Sequence, residues 1–383
     1  MASLGLRLTV LAGPSLPVPL PGPLTARVRS VEVTENDSER SVFTLTLDAG
    51  RSATAGAVDV PGLIGPPLTA FSRVVVVVHL GVVPFVLSDG IVTEVKLAPG
   101  DGPGAATLSV TGEDVSCLLD REERDVEHPA MDAYAQVLRV LAPYAARGVL
   151  PRAVPPAVLD PPLPIDRIPT QHGTDLAHLN ALARDHGHVA YAMPGPAPGT
   201  STFYWGPAVR TGPPQPALSV DLGPQTNVTE IHFRTEALGP VAIQGKVMDR
   251  QTGLAVPVVV PVGVRPPLAA VPFAAANLGQ TRVRRLRGAT SSTIAAYAEA
   301  RAEVDRSLDA VIAEGRLDGV RYGAVLRPRA LVGVRGAGWS HDGLWYVREV
   351  RHELTIGGYQ ASFVLARDGH GALTPVLPVG GVI

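Results

Sequence analysis

Ser340, His341 and Asp342 place the three residue types of a hydrolase triad in one run. That chemistry needs a nucleophile, a base and an orienting acid that converge from separate elements. Three contiguous residues ahead of Gly343 point in different directions, and Asp-Gly marks a turn between strands. The run is read as a hairpin turn. The stretch Gly333-Val334-Arg335-Gly336-Ala337-Gly338 is glycine-rich enough to cradle a phosphate. A strand and a turn follow it, however, where a phosphate loop needs a helix N-terminus. A tight bend is its expected use. His172, His178, His186 and His188 raise the question of a metal, but no acid or cysteine accompanies them at a telling spacing, and they are read as ordinary histidines. Arg282, Arg284, Arg285 and Arg287 form a basic strip that suits a solvated face or a subunit salt bridge better than nucleic acid. The lone Cys117 excludes an intrachain disulfide and a multi-cysteine metal site, and reads as a small packing residue. No catalytic residue, cofactor or metal is expected.

The elements around these residues are mostly strands. Arg27 to Glu35 alternates, as does Val42 to Leu47, and the valines between Phe71 and Leu80 read as a strand buried on both faces. Pro84 to Leu87, a turn at Asp89-Gly90, Ile91 to Leu97 and Ala106 to Thr111 continue an antiparallel meander. After Gly112 the period changes. Val115 to Leu119 opens a short helix. Met131 to Ala146 is a second, with Tyr134, Val137, Leu138 and Leu141 as its stripe and Gly148 as its stop. A proline-rich connector runs from Leu150 to Pro169. Thr174 then caps a helix with the stripe Leu176, Leu179, Leu182 and Ala183, stopped at Gly187, and His188 to Met193 is a strand. Strands resume at Ala217. One long helix interrupts them, capped by Thr290 or Ser291, with Val304, Leu308, Val311 and Ile312 as its stripe and Glu314-Gly315 as its stop. Strands at Arg321 to Leu326, Leu331 to Val334, Leu344 to Leu354 and Tyr359 to Ala366 close the chain.

Two hairpins echo each other. One opens at Asp89-Gly90 and the other at Asp342-Gly343, and the span from Val95 to Val110 equals that from Val350 to Leu365. The echo hints at two similar barrels in one chain. At 383 residues the chain has room for two or three domains. Its net charge of -2 favours neither nucleic acid nor an anionic membrane as a bulk partner. Leu254 to Ala274 is apolar but broken by prolines and Arg265, so it reads as extended rather than membrane-spanning. The N-terminal apolar run is likewise interrupted, by Pro14, Pro17 and Pro19. A soluble chain made in a cytoplasm is the expectation.

The tail from Tyr322 to Gly369 resembles the C-terminal part of baseplate hub proteins of extracellular contractile injection systems. The resemblance rests on Gly336 to Trp339 (with Gly338), Gly343 to Val347 (with Tyr346), Val350 to His352, and Gly358 to Arg367 (with Tyr359 and Phe363). Thr174 to Gly187 is similar to a helix of phage late-control gene D and VgrG spike proteins, and Gly90 to Asp114 to the strands that close their first barrel. The resemblance implies a mainly β (α+β) fold: a tube-like antiparallel barrel over 1–115, an inserted small α/β domain over 116–215, and a second tube-like barrel over 216–383 with a long helix at about 291–314. It implies a homotrimer that joins a hexameric inner tube protein to a trimeric spike protein, alongside other baseplate components. It also implies assembly in the cytoplasm of the producing bacterium into a virion-like particle, without membrane insertion by this subunit. VgrG chains continue into a further barrel and needle, whereas this sequence stops at Ile383, which suggests a separate spike chain or a hub-only relative. Two other readings stay open: a tail-associated peptidoglycan hydrolase, and a stand-alone ligand-binding β-protein. Trp339, Tyr346 and Tyr359 are expected to pack in the core of the second barrel.

Overall fold

Alternating residues and runs of valine commit most of this chain to sheet. The computed structural model describes residues 5–14, 16–50, 66–100, 105–156, 168–248, 253–286 and 293–373. The first region contributes β1 (Leu6–Gly13), β2 (Val18–Pro19), the one-turn helix α1 (Gly22–Thr25), β3 (Val28–Asn36), β4 (Val42–Asp48), β5 (Arg73–Leu80), β6 (Val83–Ala98) and β7 (Thr107–Asp114). The apolar N-terminal run is therefore a strand, and it pairs along its whole length with β5. The middle region contributes β8 (Glu123–Glu127), α2 (Ala133–Leu141), β9 (Val149–Ala153), β10 (Thr170–Thr174), α3 (Asp175–Asp185), β11 (Val189–Pro194) and β12 (Ser201–Gly206). The last region contributes β13 (Gln215–Ser219), β14 (Val228–Thr235), β15 (Val241–Met248), β16 (Ala255–Val260), β17 (Ala269–Pro272), α4 (Phe273–Ala276), β18 (Arg282–Arg285), α5 (Thr293–Ser307), β19 (Val311–Asp318), α6 (Gly319–Tyr322), β20 (Leu331–Arg335), β21 (Gly343–Thr355), β22 (Gly358–Arg367) and β23 (Gly369–Ala372).

One thirteen-stranded sheet runs through both β-regions in the order β14-β19-β22-β21-β3-β4-β7-β6-β5-β1-β2, with β20 paired to β21 and β13 paired to β20. Within it the strand pattern occurs twice. The neighbours β3-β4-β7-β6-β5 are matched by β14-β19-β22-β21-β20, pair for pair and antiparallel throughout. Two bulges coincide as well. One falls between Val28 and Ser30 and again between Val228 and Glu230, and another between Val92 and Glu94 and again between Val347 and Glu349. Each set also holds a facing Phe-Gly pair, at different register positions: Phe43 lies opposite Gly112, and Phe363 opposite Gly315, where the first set has Val110 and Leu45. A Cβ on Gly112 would sit 2.4 Å from the Phe43 ring, and one on Gly315 would sit 2.7 Å from the Phe363 ring. Glycine is needed there for space. The hairpin echo is thus a structural repeat with one amendment: Val95 faces Val110 while Val350 faces Phe363, so Val110 corresponds to Phe363 and not to Leu365.

Several elements differ from the pattern in the residues. Asp89-Gly90 is not a turn. It lies inside the continuous strand β6, where a Cβ on Gly90 would meet the Phe43 ring at 2.9 Å. Asp89 is tolerated there because the Arg73 guanidinium grips its carboxylate at 2.6 and 2.8 Å. The long helix α5 ends at Ser307, and Val311 and Ile312 begin β19, with Glu314-Gly315 in mid-strand. The gap between β14 and β22 offers a backbone partner on both sides, which overrides the helical spacing. Its expected caps, Thr290 and Ser291, lie outside the described residues, as does Arg287. Asp318 caps the single turn α6 through the N–H groups of Val320 and Arg321, so Arg321 to Leu326 is not a strand. Part of the proline-rich connector forms β9, parallel to β12. The Thr174 cap is as expected: its hydroxyl accepts from the Ala177 N–H at 3.2 Å. In α2, Val137 and Leu141 are buried but Leu138 is exposed, and Gln136 and Val140 take its place inward.

Candidate functional site: the seam between the repeated strand sets

The tail residues singled out in the sequence form two structures. Arg367 is fully buried and ties down the 336–343 turn. Its Nε donates to the Gly369 carbonyl at 2.9 Å, Nη1 to Asp342 O at 2.9 Å, and Nη2 to Ser340 O at 2.7 Å, while its guanidinium lies 4.3 Å over the Trp345 ring. Gly336 and Gly338 adopt φ of +85° and +86°, and a Cβ on Gly336 would fall 2.0 Å from the Val220 carbonyl oxygen. The first half of the glycine-rich stretch ends strand β20, and Gly336 to Gly338 form the expected bend. Tyr346 is buried beneath Arg210, whose guanidinium is 3.9 Å from the ring and is held by Asp309. Trp339 overturns the expectation of packing: it is 66% exposed, in the turn between β20 and β21, with its ring edge beside Gly371. The core indole is that of Trp345.

The second structure lies where β21 pairs with β3 and joins the two strand sets. Val350, His352, Tyr359 and Phe363 are buried in one core with Val31 and Val33. Glu35 continues that inward stripe of β3, an acid among valines. Arg327 neutralises it, with Nη1 at 2.8 Å from Oε1 and 2.9 Å from Oε2, and the same guanidinium donates to the backbone carbonyls of Leu87 and Val86 on β6. His352 Nε2 lies 3.4 Å from Glu35 Oε2, and His352 Nδ1 lies 2.8 Å from the Tyr359 hydroxyl. Nδ1 can accept from the Tyr359 hydroxyl, which leaves an Nε2–H that faces the carboxylate as a close electrostatic contact without hydrogen-bond geometry. Burial pushes the Glu35 carboxyl up, but Arg327 and His352 outweigh it and hold the group below its usual range. Burial holds His352 below the usual histidine value, so its neutral form is favoured. The cluster clamps a loop of the last region to two strands of the first.

The remaining candidates are dispersed. Asp342 accepts from the Ala337 N–H at 2.8 Å, and the His341 ring stacks on Phe233 at 4.1 Å, so these members of the apparent triad are engaged separately. His178 stacks on His128 and contacts Gln136, His172 pairs with the exposed Asp125, and His188 meets the edge of Trp205. Among the described residues no group of three or more His, Cys, Asp or Glu could hold a metal. Arg284 pairs with Glu303 of α5 at 2.9 Å. Burial pushes the Cys117 thiol up to about 12, which removes thiolate reactivity near neutrality. The residues that the sequence reading missed are Glu35 and Arg327. An acid at an inward position of an alternating strand was the available signal for Glu35; the partner of Arg327 is distant in sequence and left none.

No family model matches the chain, and no curated protein does. Solved structures match over nearly its whole length. A tail protein from Neisseria meningitidis MC58 aligns with a TM-score of 0.63 at 14% identity, covering 95% of this chain and 97% of that one. The 43 kDa tail protein of prophage MuSo2 from Shewanella oneidensis gives 0.64 at 15%, covering 95% and 99%. A component of the Escherichia coli type VI secretion system, described as similar to the T4 bacteriophage tail proteins gp27 and gp5, gives 0.54 at 12%, covering 92% and 77%. The chain has the fold of these tail and secretion proteins.

Proposed function

We propose that this chain is a structural baseplate hub of a contractile, phage-tail-like injection machine, three copies of which adapt a hexameric inner tube to a threefold spike. The internal repeat carries the reading. One chain holds two sets of strands with the same order, the same pairing and two bulges at matching positions. Three such chains offer six similar units to a sixfold partner and remain three subunits to a threefold one. On this reading 1–115 and 216–383 are the two tube-like units and 116–215 is a peripheral insert. The likeness to phage-tail proteins and to a type VI secretion component supports the setting.

The same reading makes the chain non-catalytic, with the inner tube, the spike and other baseplate components as partners. It is made in the cytoplasm of a producing bacterium and carried in the particle. Among the described residues no helix is long and apolar enough to cross a membrane. Cryo-electron microscopy of the particle is the test. Three copies between tube and spike, with both strand sets of each copy in one pseudo-sixfold ring, are expected. Six copies there, or a place on sheath or fibres, would refute the adaptor.

A further inference from the structure

The repeat leaves one junction unmade. Within the chain, the last half of β21 pairs with β3 in the register Val350 with Glu35 and His352 with Val33. The counterpart of β21 is β6, with Val95 in the place of Val350 and Leu97 in that of His352. The counterpart of β3 is β14, with Phe233 in the place of Val33 and Thr235 in that of Glu35. Among the described residues, β14 pairs only with β19, and β6 beyond Val92 pairs only with β7. One chain therefore presents two open strand edges that are the repeat counterparts of its own closed seam.

We infer that these edges pair with each other between copies, β6 of one chain against β14 of the next, head to tail and antiparallel. The inference deepens the hub reading and rests on it for the ring. Transposing the inner seam fixes the register: Val95 opposite Thr235, Lys96 opposite Arg234, Leu97 opposite Phe233 and Ala98 opposite His232.

Two observations favour a second copy as the occupant. First, the side chains wait for cover. Val95 and Leu97 are 37% and 43% exposed, whereas their counterparts Val350 and His352 are 0% exposed. Ile231 and Phe233 are half-buried, whereas Val31 and Val33 are buried. Second, long open edges invite uncontrolled pairing unless a defined partner takes them. A patch pair that is not self-complementary yields a closed ring or a filament, and a sixfold tube calls for the ring.

The test is disulfide trapping in a Cys117→Ser background. A chain with Val95→Cys and Thr235→Cys, mildly oxidised as purified protein and in cells assembling particles, should give a covalent ladder that ends at trimer. A chain with Val95→Cys and Arg234→Cys, whose thiols face opposite sides of the sheet, should give at least tenfold less. Leu97→Glu should abolish the ladder while leaving the melting curve of the monomer unchanged. A ladder ending at another number would keep the pairing and sink the threefold adaptor. Trimers without in-register cross-links, or no cross-link above the control in either setting, would overturn the pairing.

Discussion

Replacing Arg327 with methionine tests whether the ionic cluster holds the two strand sets together. The substitution keeps most of the stem's volume and removes the guanidinium donors to Glu35, Leu87 O and Val86 O. Glu35 is left in a buried site with His352, which is held neutral, as its remaining neighbour. Breaking a buried pair from one side costs about 3–5 kcal/mol, because a charge is stranded without its counter-ion. At about 2–4 °C per kcal/mol the melting temperature should fall by roughly 10 °C. Adding Glu35→Gln should restore about 2 kcal/mol, since the amide needs no counter-charge and the two sites share one interaction. The pH dependence has a definite sign. Glu35 is held below its usual value in the fold, so its contribution is present above the unfolded-state value, near 4.3, and is lost as pH falls through the folded value. The deficit of Arg327→Met should therefore be largest near neutrality and shrink in acid. Urea denaturation across that range is the assay. A loss below about 1 kcal/mol, strictly additive single effects, or a deficit that grows in acid would refute the reasoning.

Two further outcomes follow from burial. Trp339→Ala should change stability by less than about 1 kcal/mol in the same denaturation assay, because most of the indole already faces solvent. Burial and the neighbouring His128 push His178 down to about 4, so the fold is penalised as pH falls below the unfolded-state value near 6.5 and the penalty levels off below about 4. His178→Gln should flatten that limb by on the order of 2 kcal/mol, read as melting temperature against pH.

How much of this was legible in the residues varies with the kind of signal. The strands announced themselves by alternation, and the α3 cap by Thr174 ahead of an apolar stripe. What failed were places where a partner distant in sequence decides the local form. Val311 and Ile312 fit a helix by spacing, yet β14 and β22 claim them as a strand. Asp89-Gly90 reads as a turn until Phe43 and Arg73 are known to lie against it. Trp339 and Trp345 are equally plausible core residues in the sequence. Only the Arg367 tether of the turn decides that one is inside and the other exposed in the turn.

The two junctions of the repeat differ in chemistry, and the difference fits when each would form. The inner seam carries Glu35, Arg327 and His352, three ionisable groups whose desolvation is met once, during folding of a single chain, by partners in the same molecule. At the open edges the corresponding positions of β6 and β14 hold Leu97 in place of His352 and Thr235 in place of Glu35. Bringing a carboxylate, a guanidinium and an imidazole together between separate chains would add several kcal/mol of desolvation per ion to the entropy lost on association. Apolar and hydroxyl side chains carry no such burden, and their burial favours association in proportion to area. An ionic cluster buried within the chain, with Leu97 and Thr235 at the matching positions of the open edges, is the arrangement expected of a subunit that folds alone and associates afterwards.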